Sequence, residues 1–192
     1  MPPTPKVRDA AATRARLLQA ATSEFATYGI AGARIERIGA AANANKALIY
    51  TYFGNKDQLF DAVMDAHVAR ILDQVPFTPD DLPGYAGRLF DFLVANPQQV
   101  RLATWLRLER GRTEREPEGL GASVRRKIDA LAEAQAAKRV AAEFTAEDLL
   151  AFTLALATAW VPASPTAPAD LTPDQLDTRR TAVVEAVRRL TS

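Results

Sequence analysis

The segment Ile35-Glu-Arg-Ile-Gly-Ala-Ala-Ala-Asn-Ala-Asn45-Lys-Ala-Leu-Ile-Tyr50-Thr-Tyr-Phe-Gly-Asn-Lys56-Asp-Gln-Leu59 carries two short apolar stripes separated by a pair of asparagines. Ile35, Ile38 and Ala42 recur at helical spacing, and Leu48, Ile49 and Phe53 form a second such stripe. Asn43 takes the turn between them, because asparagine tolerates a positive φ better than most non-glycine residues. Asn45 is placed to cap the second helix, its side-chain oxygen meeting the free N–H groups of the first turn. That register leaves Lys46, Ala47, Tyr50 and Thr51 outward. Two helices joined by a tight turn, the second offering small, basic and hydroxyl-bearing side chains, have the geometry of a major-groove reader.

Outward from this segment the periodicity stays helical, and no run alternates with period two. Leu17, Leu18, Ala21 and Phe25 stripe a first helix that ends at Gly29. Asn55-x-x-Gln58, Asn96-Pro-Gln-Gln99, Thr145-x-x-Asp148 and Thr172-Pro-Asp-Gln175 read as helix starts, each with an oxygen acceptor three residues before a polar partner. The expected helices run over roughly 12–28, 34–41, 45–52, 56–74, 82–95, 97–112, 117–140, 146–161 and 173–190. Residues 1–9 read as a Pro-rich arm and 161–171 as a loop. The expected fold is therefore all-α, about nine helices. An N-terminal three-helix domain over 1–55 precedes a second helical domain over 56–192, with the fourth helix shared by both halves.

Three stretches carry a resemblance. Thr13-Arg-Ala-Arg-Leu-Leu-Gln-Ala-Ala-Thr-Ser-Glu-Phe-Ala-Thr-Tyr-Gly29, then Ile35 to Ala42, then Asn45 to Leu59 resemble the DNA-binding region of the TetR family of transcriptional regulators. The core Tyr50-x-Tyr52-Phe53-x-x-Lys56-x-x-Leu59 is the most specific part. The resemblance implies a repressor bound to an inverted-repeat operator in double-stranded DNA as a homodimer and released by a small, mostly apolar effector. It places Lys46, Ala47 and Tyr50 at base-reading positions and Asn45, Thr51, Tyr52 and Lys56 at backbone-contacting ones, with Arg34 at the start of the second helix. Four positions depart from the pattern: Asn43 stands for a turn glycine, Ala47 for a glycine, Leu48 for a small hydroxyl residue and Arg34 for a threonine. The family's operator preferences therefore do not transfer. Outside such a pattern, Tyr50 and Tyr52 would read as packing aromatics, and Lys46 and Lys56 as solvated charges. Lys6 and Arg8 read as a tail, with a groove or phosphate contact as the alternative.

The body of the chain is richer in apolar side chains. Phe92, Leu102, Trp105, Leu106 and Ile128 are candidates to line an effector pocket between bundle helices. The eighth helix is apolar nearly all round and asks for cover on both faces. Together with the ninth it is expected to form the dimer interface, through Phe152, Leu156, Trp160, Val183, Val187 and Leu190. The alternative is that the eighth helix is the central core helix of a monomer. His67, the single histidine, lies on the inward line Leu59, Val63, His67, Ile71, where it reads as a packed residue or a ligand contact.

Composition bounds the function. Residues 1–56 hold eight Lys/Arg against three acids, net +5, while the remainder carries net −4. A basic head on a mildly acidic body suits a phosphate-binding module joined to one that does not meet DNA. The absence of cysteine removes thiolate chemistry and cysteine metal sites, and one histidine removes paired-histidine zinc sites. No G-x-G-x-x-G, P-loop, H-E-x-x-H or G-x-S-x-G run occurs, so no enzyme, cofactor or metal is expected. Asp57, Asp61 and Asp65 read as an exposed acidic stripe. The longest apolar stretch, 149–161, falls short of the ~20 residues of a membrane span, and a cytoplasmic protein without a membrane partner is the expectation.

Overall fold

The computed structural model describes residues 5–110, 118–161, 164, 167–168 and 170–191, and among these all regular structure is helical. The helices are α1 (Pro5–Gly32), α2 (Ile35–Ala41), α3 (Lys46–Phe53), α4 (Lys56–Gln74), α5 (Leu82–Ala95), α6 (Pro97–Arg110), α7 (Glu118–Ala136), α8 (Ala146–Ala157) and α9 (Pro173–Thr191), with a 3₁₀ turn at Pro79–Asp81. α1 starts at Pro5 rather than near residue 12, so residues 5–9 of the expected arm are helical. Proline at a first helical position and the run Ala10-Ala-Ala12 both favour this. Residues 1–4, the side chains of Lys6 and Arg8, and most of the expected 161–171 loop lie outside the described residues.

Three of the four expected caps form. Gln58 N–H donates to Asn55 Oδ1 (2.8 Å), Asp148 N–H to Thr145 Oγ1 (3.1 Å), and Thr172 and Gln175 exchange side-chain and backbone bonds. The fourth does not form. Asn96 turns back and donates from Nδ2 to the Phe92 carbonyl at 2.8 Å, serving the end of α5 instead of the start of α6. α7 and α8 each stop four residues before the expected ends. Lys138 takes a positive φ of 56° after α7, and Thr158 Oγ1 accepts the role of closing α8 by donating to the Leu154 and Ala155 carbonyls.

The described residues fall into two compact units. The first joins 5–67 to 101–110; the second joins 68–100 to 118–191. The boundary expected after residue 55 therefore falls within the first unit, and the chain leaves that unit within α4 and re-enters it within α6. α4 contributes to both units, as its length suggested, and so does α6.

The core of the first unit is built from Leu17, Ala21 and Phe25 of α1, Ile38 of α2, Ile49 of α3 and Leu59, Phe60 and Met64 of α4, all essentially without exposure. Leu18 and Leu48, expected inward, are half-buried. Phe25 and Phe60 meet edge to face with centroids 5.1 Å apart. α6 adds the buried Leu102 and Leu106. It is tied on by hydrogen bonds of long sequence range: Trp105 Nε1 donates to the Ala26 carbonyl (3.3 Å), and Glu109 accepts from the N–H groups of Ile30 (3.0 Å) and Ala31 (2.6 Å). Those N–H groups are free because α1 breaks at Gly29, with φ 72° and ψ −176°. Arg110 pairs with Asp61, donates to the Asp57 carbonyl and lies over the Phe60 ring at 4.9 Å. The acidic stripe of α4 is thus partly neutralised from α6 rather than left to solvent. His67 is packed, at 8% exposure.

In the second unit, α9 packs chiefly on α5 and α8 on α7, α5 and α9. Gly87 permits the α5–α9 approach: a Cβ there would stand 3.0 Å from Val184 Cγ2. Val183 and Val187 are consumed by this packing, at 3% and 0% exposure. They belong to the chain's own core and not to a surface that a partner can cover. Of the expected interface residues, Phe152 is exposed and Leu156, Trp160 and Leu190 are half-buried. Buried Leu149, Leu150, Thr153 and Ala157 show that α8 covers one face within the chain while Ala151, Phe152 and Ala155 stay open.

Candidate nucleic-acid interface

The α2–α3 turn is closed by backbone bonds of a Schellman pattern. Ala44 N–H donates to the Gly39 carbonyl (2.9 Å) and Asn43 N–H to that of Ala40 (3.2 Å), with Asn43 at φ 49°. The closure explains Gly39, which periodicity alone did not single out: a Cβ there would sit 2.8 Å from the Ala44 carbonyl oxygen. Asn45 Oδ1 then caps α3 through the Leu48 N–H at 2.9 Å. With Ile49 and Phe53 in the core, the angular position of α3 is fixed.

A second tie comes from Glu24. Its carboxylate, at 9% exposure, accepts from the Arg34 N–H (2.9 Å) and from Arg37 Nε (2.7 Å), and Arg37 also reaches the Gly32 carbonyl and stacks on Tyr28 at 4.1 Å. Glu24 therefore serves the start of α2, where Arg34 has no side-chain cap of its own. The sequence held a signal for this residue: it follows Leu17 by seven and Ala21 by three, a charged group on the buried stripe.

The outward face of α3 carries Lys46, Ala47, Tyr50 and Thr51, all exposed, beside exposed Asn45 and Arg34. Tyr52 and Lys56 are half-buried. Thr51 Oγ1 donates to the Ala47 carbonyl at 2.9 Å, and Lys46 Nζ lies 5.8 Å from the Tyr50 ring centre. Lys46 Nζ also meets Glu36 Oε1 at 2.7 Å. The ammonium holds the Glu36 carboxyl below the usual carboxylate range, and Glu36 in turn raises Lys46. Glu36 went unremarked in the sequence because contact across a turn has no local periodicity.

Lys56 is not a free point charge. Its Nζ donates to the Ala31 (3.2 Å) and Ala33 (3.3 Å) carbonyls at the α1–α2 connection. Lys56→Ala should therefore act twice. Affinity for every duplex falls alike, and the log–log salt slope flattens by about one. Thermal or urea unfolding, meanwhile, shows a loss of about 1 kcal/mol. A variant with unchanged stability, or with base-dependent losses, would contradict this placement.

The five pocket candidates do not gather in one unit. Leu102, Trp105 and Leu106 belong to the first, where they seat α6; Phe92 and Ile128 lie in the second. The second unit instead shows a polar cluster that sequence reading missed. Lys127 Nζ donates to Tyr85 Oη at 3.0 Å, 5.8 Å from the Phe77 ring centre, and Phe77 meets Tyr85 edge to face. Burial pushes the Tyr85 phenol up to about 12 and, with help from Arg126, pushes the Lys127 ammonium down. Raised above its unfolded value of about 10, Tyr85 contributes stability that is full below pH 10 and lost as pH rises through 12. A tyrosinate absorbance titration should show one late component near 12, absent in Tyr85→Phe; a titration unchanged by that substitution would refute it.

A fixed helix-turn-helix with a polar, basic outward face on its second helix, in a chain whose described regular structure is all helical, defines a class: helix-turn-helix nucleic-acid-binding proteins. Residues 17–63 match the family model described as bacterial regulatory proteins, tetR family, and residues 81–189 match the tetracyclin repressor-like C-terminal domain. The chain belongs to the TetR family. It is 49% identical over 107 residues to the HTH-type transcriptional repressor SCO4008 of Streptomyces coelicolor, covering 56% of each chain. It is 30% identical over 125 residues to the HTH-type transcriptional repressor NicS of Pseudomonas putida, covering 61% of this chain and 58% of that one. The matched stretch thus spans a little over half the length of these two relatives. The crystal structure of SCO4942, also from Streptomyces coelicolor, superposes with a TM-score of 0.78 at 34% identity over 93% of this chain and 98% of that one. No helix among the described residues is long and apolar enough to cross a membrane.

Proposed function

We propose that the chain is a cytoplasmic transcriptional repressor that binds an inverted-repeat operator as a homodimer and leaves it when a small, mostly apolar effector binds. One observation carries the DNA-binding part: the first two turns of α3 expose Asn45, Lys46, Ala47, Tyr50 and Thr51 together on a backbone fixed by the Asn43 turn. Lys46, Ala47 and Tyr50 read base edges; Arg34, Asn45, Thr51, Tyr52 and Lys56 hold phosphates. One recognition helix per chain needs a second copy for an inverted repeat. The open face of α8 around Phe152, with Leu156, Trp160 and Leu190, is the surface offered to it.

For the effector, the aromatic core of the second unit around Phe92 and Ile128 is the proposed site. α4 and α6 run through both units and are the elements able to carry its effect to α3. A differential affinity of about 1–3 kcal/mol gives a 5–150-fold loss of operator affinity, and operator must weaken the effector by the same factor. Selection of bound sequences from random duplex DNA tests the DNA-binding part. Two inverted half-sites, centred about 10 base pairs or a multiple apart, are expected. Failure to enrich any motif would overturn it.

A further inference from the structure

We infer that Lys46 and Glu36 read one G·C base pair together, as a coupled donor and acceptor; the inference rests on the DNA-binding reading above. Lys46 is the first residue of α3 and Glu36 the second of α2, and their side chains are 52% and 67% exposed. An exposed ion pair contributes little to stability. The α2–α3 register does not need it either, since the Gly39 closure and the Asn45 cap already fix that turn. A carboxylate beside the reading lysine also repels phosphate. Its presence there asks for a partner that a lysine alone would not satisfy.

The major-groove edge of a G·C pair is such a partner. Guanine presents N7 and O6 as adjacent acceptors, and cytosine N4 presents a donor beside them. O6 and N4 are themselves joined by a hydrogen bond, so they stand about 2.9 Å apart. Lys46 Nζ and Glu36 Oε1 stand 2.7 Å apart. The ammonium can donate to N7 and O6 while the carboxylate accepts from N4. An A·T pair offers a donor between two acceptors, one on each base. It satisfies the carboxylate but gives the ammonium a single acceptor. The pairing also keeps Lys46 off the phosphates, because a lysine that swung away would leave Glu36 unpaired before the backbone. Glu36 is thus a specificity residue that lowers non-specific affinity.

The test is competition binding of the selected operator, with each base pair exchanged in turn, against the wild type, Glu36→Gln and Lys46→Met. For the wild type, one G·C position per half-site should cost about tenfold or more when changed to A·T. Both variants should reduce that cost to about twofold and leave the other positions as they were. Glu36→Gln should in addition bind non-operator duplex more tightly than the wild type. If Glu36→Gln keeps the full wild-type penalty at every position, or no G·C position is required, the inference is wrong while the DNA-binding reading stands. If the wild type binds no duplex at all, the DNA-binding reading itself has failed.

Discussion

Gly29→Ala should destabilise the first unit by about 3 kcal/mol or more, because it loads two independent costs on one atom. The backbone at φ 72°, ψ −176° lies in a region that only glycine occupies freely, and forcing another residue into it costs about 1–3 kcal/mol. The new Cβ would also stand 2.1 Å from Glu109 Oε1 and 3.0 Å from Trp105 Cε3. Glu109 cannot move away without releasing the Ile30 and Ala31 N–H groups, at about 1–3 kcal/mol for a group left unsatisfied. A fall of roughly 15 °C in the melting midpoint is the expected reading. Adding Glu109→Ala should recover part of the clash and none of the backbone strain. A single variant within 0.5 kcal/mol of wild type would show that α6 does not close on Gly29.

Phe60→Ala should cost about 3–5 kcal/mol, the range for removing a buried aromatic ring. Phe60 has no exposure, its neighbour Phe25 meets it edge to face, and the Arg110 guanidinium covers it at 4.9 Å. The substitution opens a cavity at the point where α1, α4 and α6 converge, and it removes the ring on which Arg110 rests beside Asp61. Phe60→Leu keeps most of the volume and should cost far less. Urea unfolding followed by far-ultraviolet circular dichroism measures both. A cost below 1 kcal/mol for the alanine variant would remove Phe60 from the core of this unit.

These two positions mark where the sequence was legible and where it was not. The α2–α3 turn could be read in advance because its determinants are local: Asn43 for the positive φ, Asn45 for the cap, and Ile38, Ile49 and Phe53 for the stripe. The caps at Asn55, Thr145 and Thr172 are local in the same way. Asn96 fits the same pattern yet bonds backward to Phe92, since an asparagine between two helices can serve either end. The seat of α6 on the first unit was hidden, because Gly29 and Glu109 are eighty residues apart and nothing local marks Glu109 as the acceptor for the N–H groups freed at the Gly29 break. Trp105 read as a pocket wall from its apolar neighbours, and its indole bond to the Ala26 carbonyl had no local signal. Val183 and Val187 read as interface residues because a stripe says that a helix face is covered, and not by which chain. Lys46 and Lys56 read as DNA contacts, and the further bonds they make, to Glu36 and to two carbonyls, had no local signal.

The central claim is that two copies of this 20.8 kDa chain place two α3 helices on one inverted repeat. Sedimentation equilibrium of the protein with a duplex carrying the selected site measures this directly. The account predicts a complex of two chains per duplex, and scrambling either half-site should abolish tight binding. A complex of one chain per duplex, or affinity that survives the loss of a half-site, would contradict it.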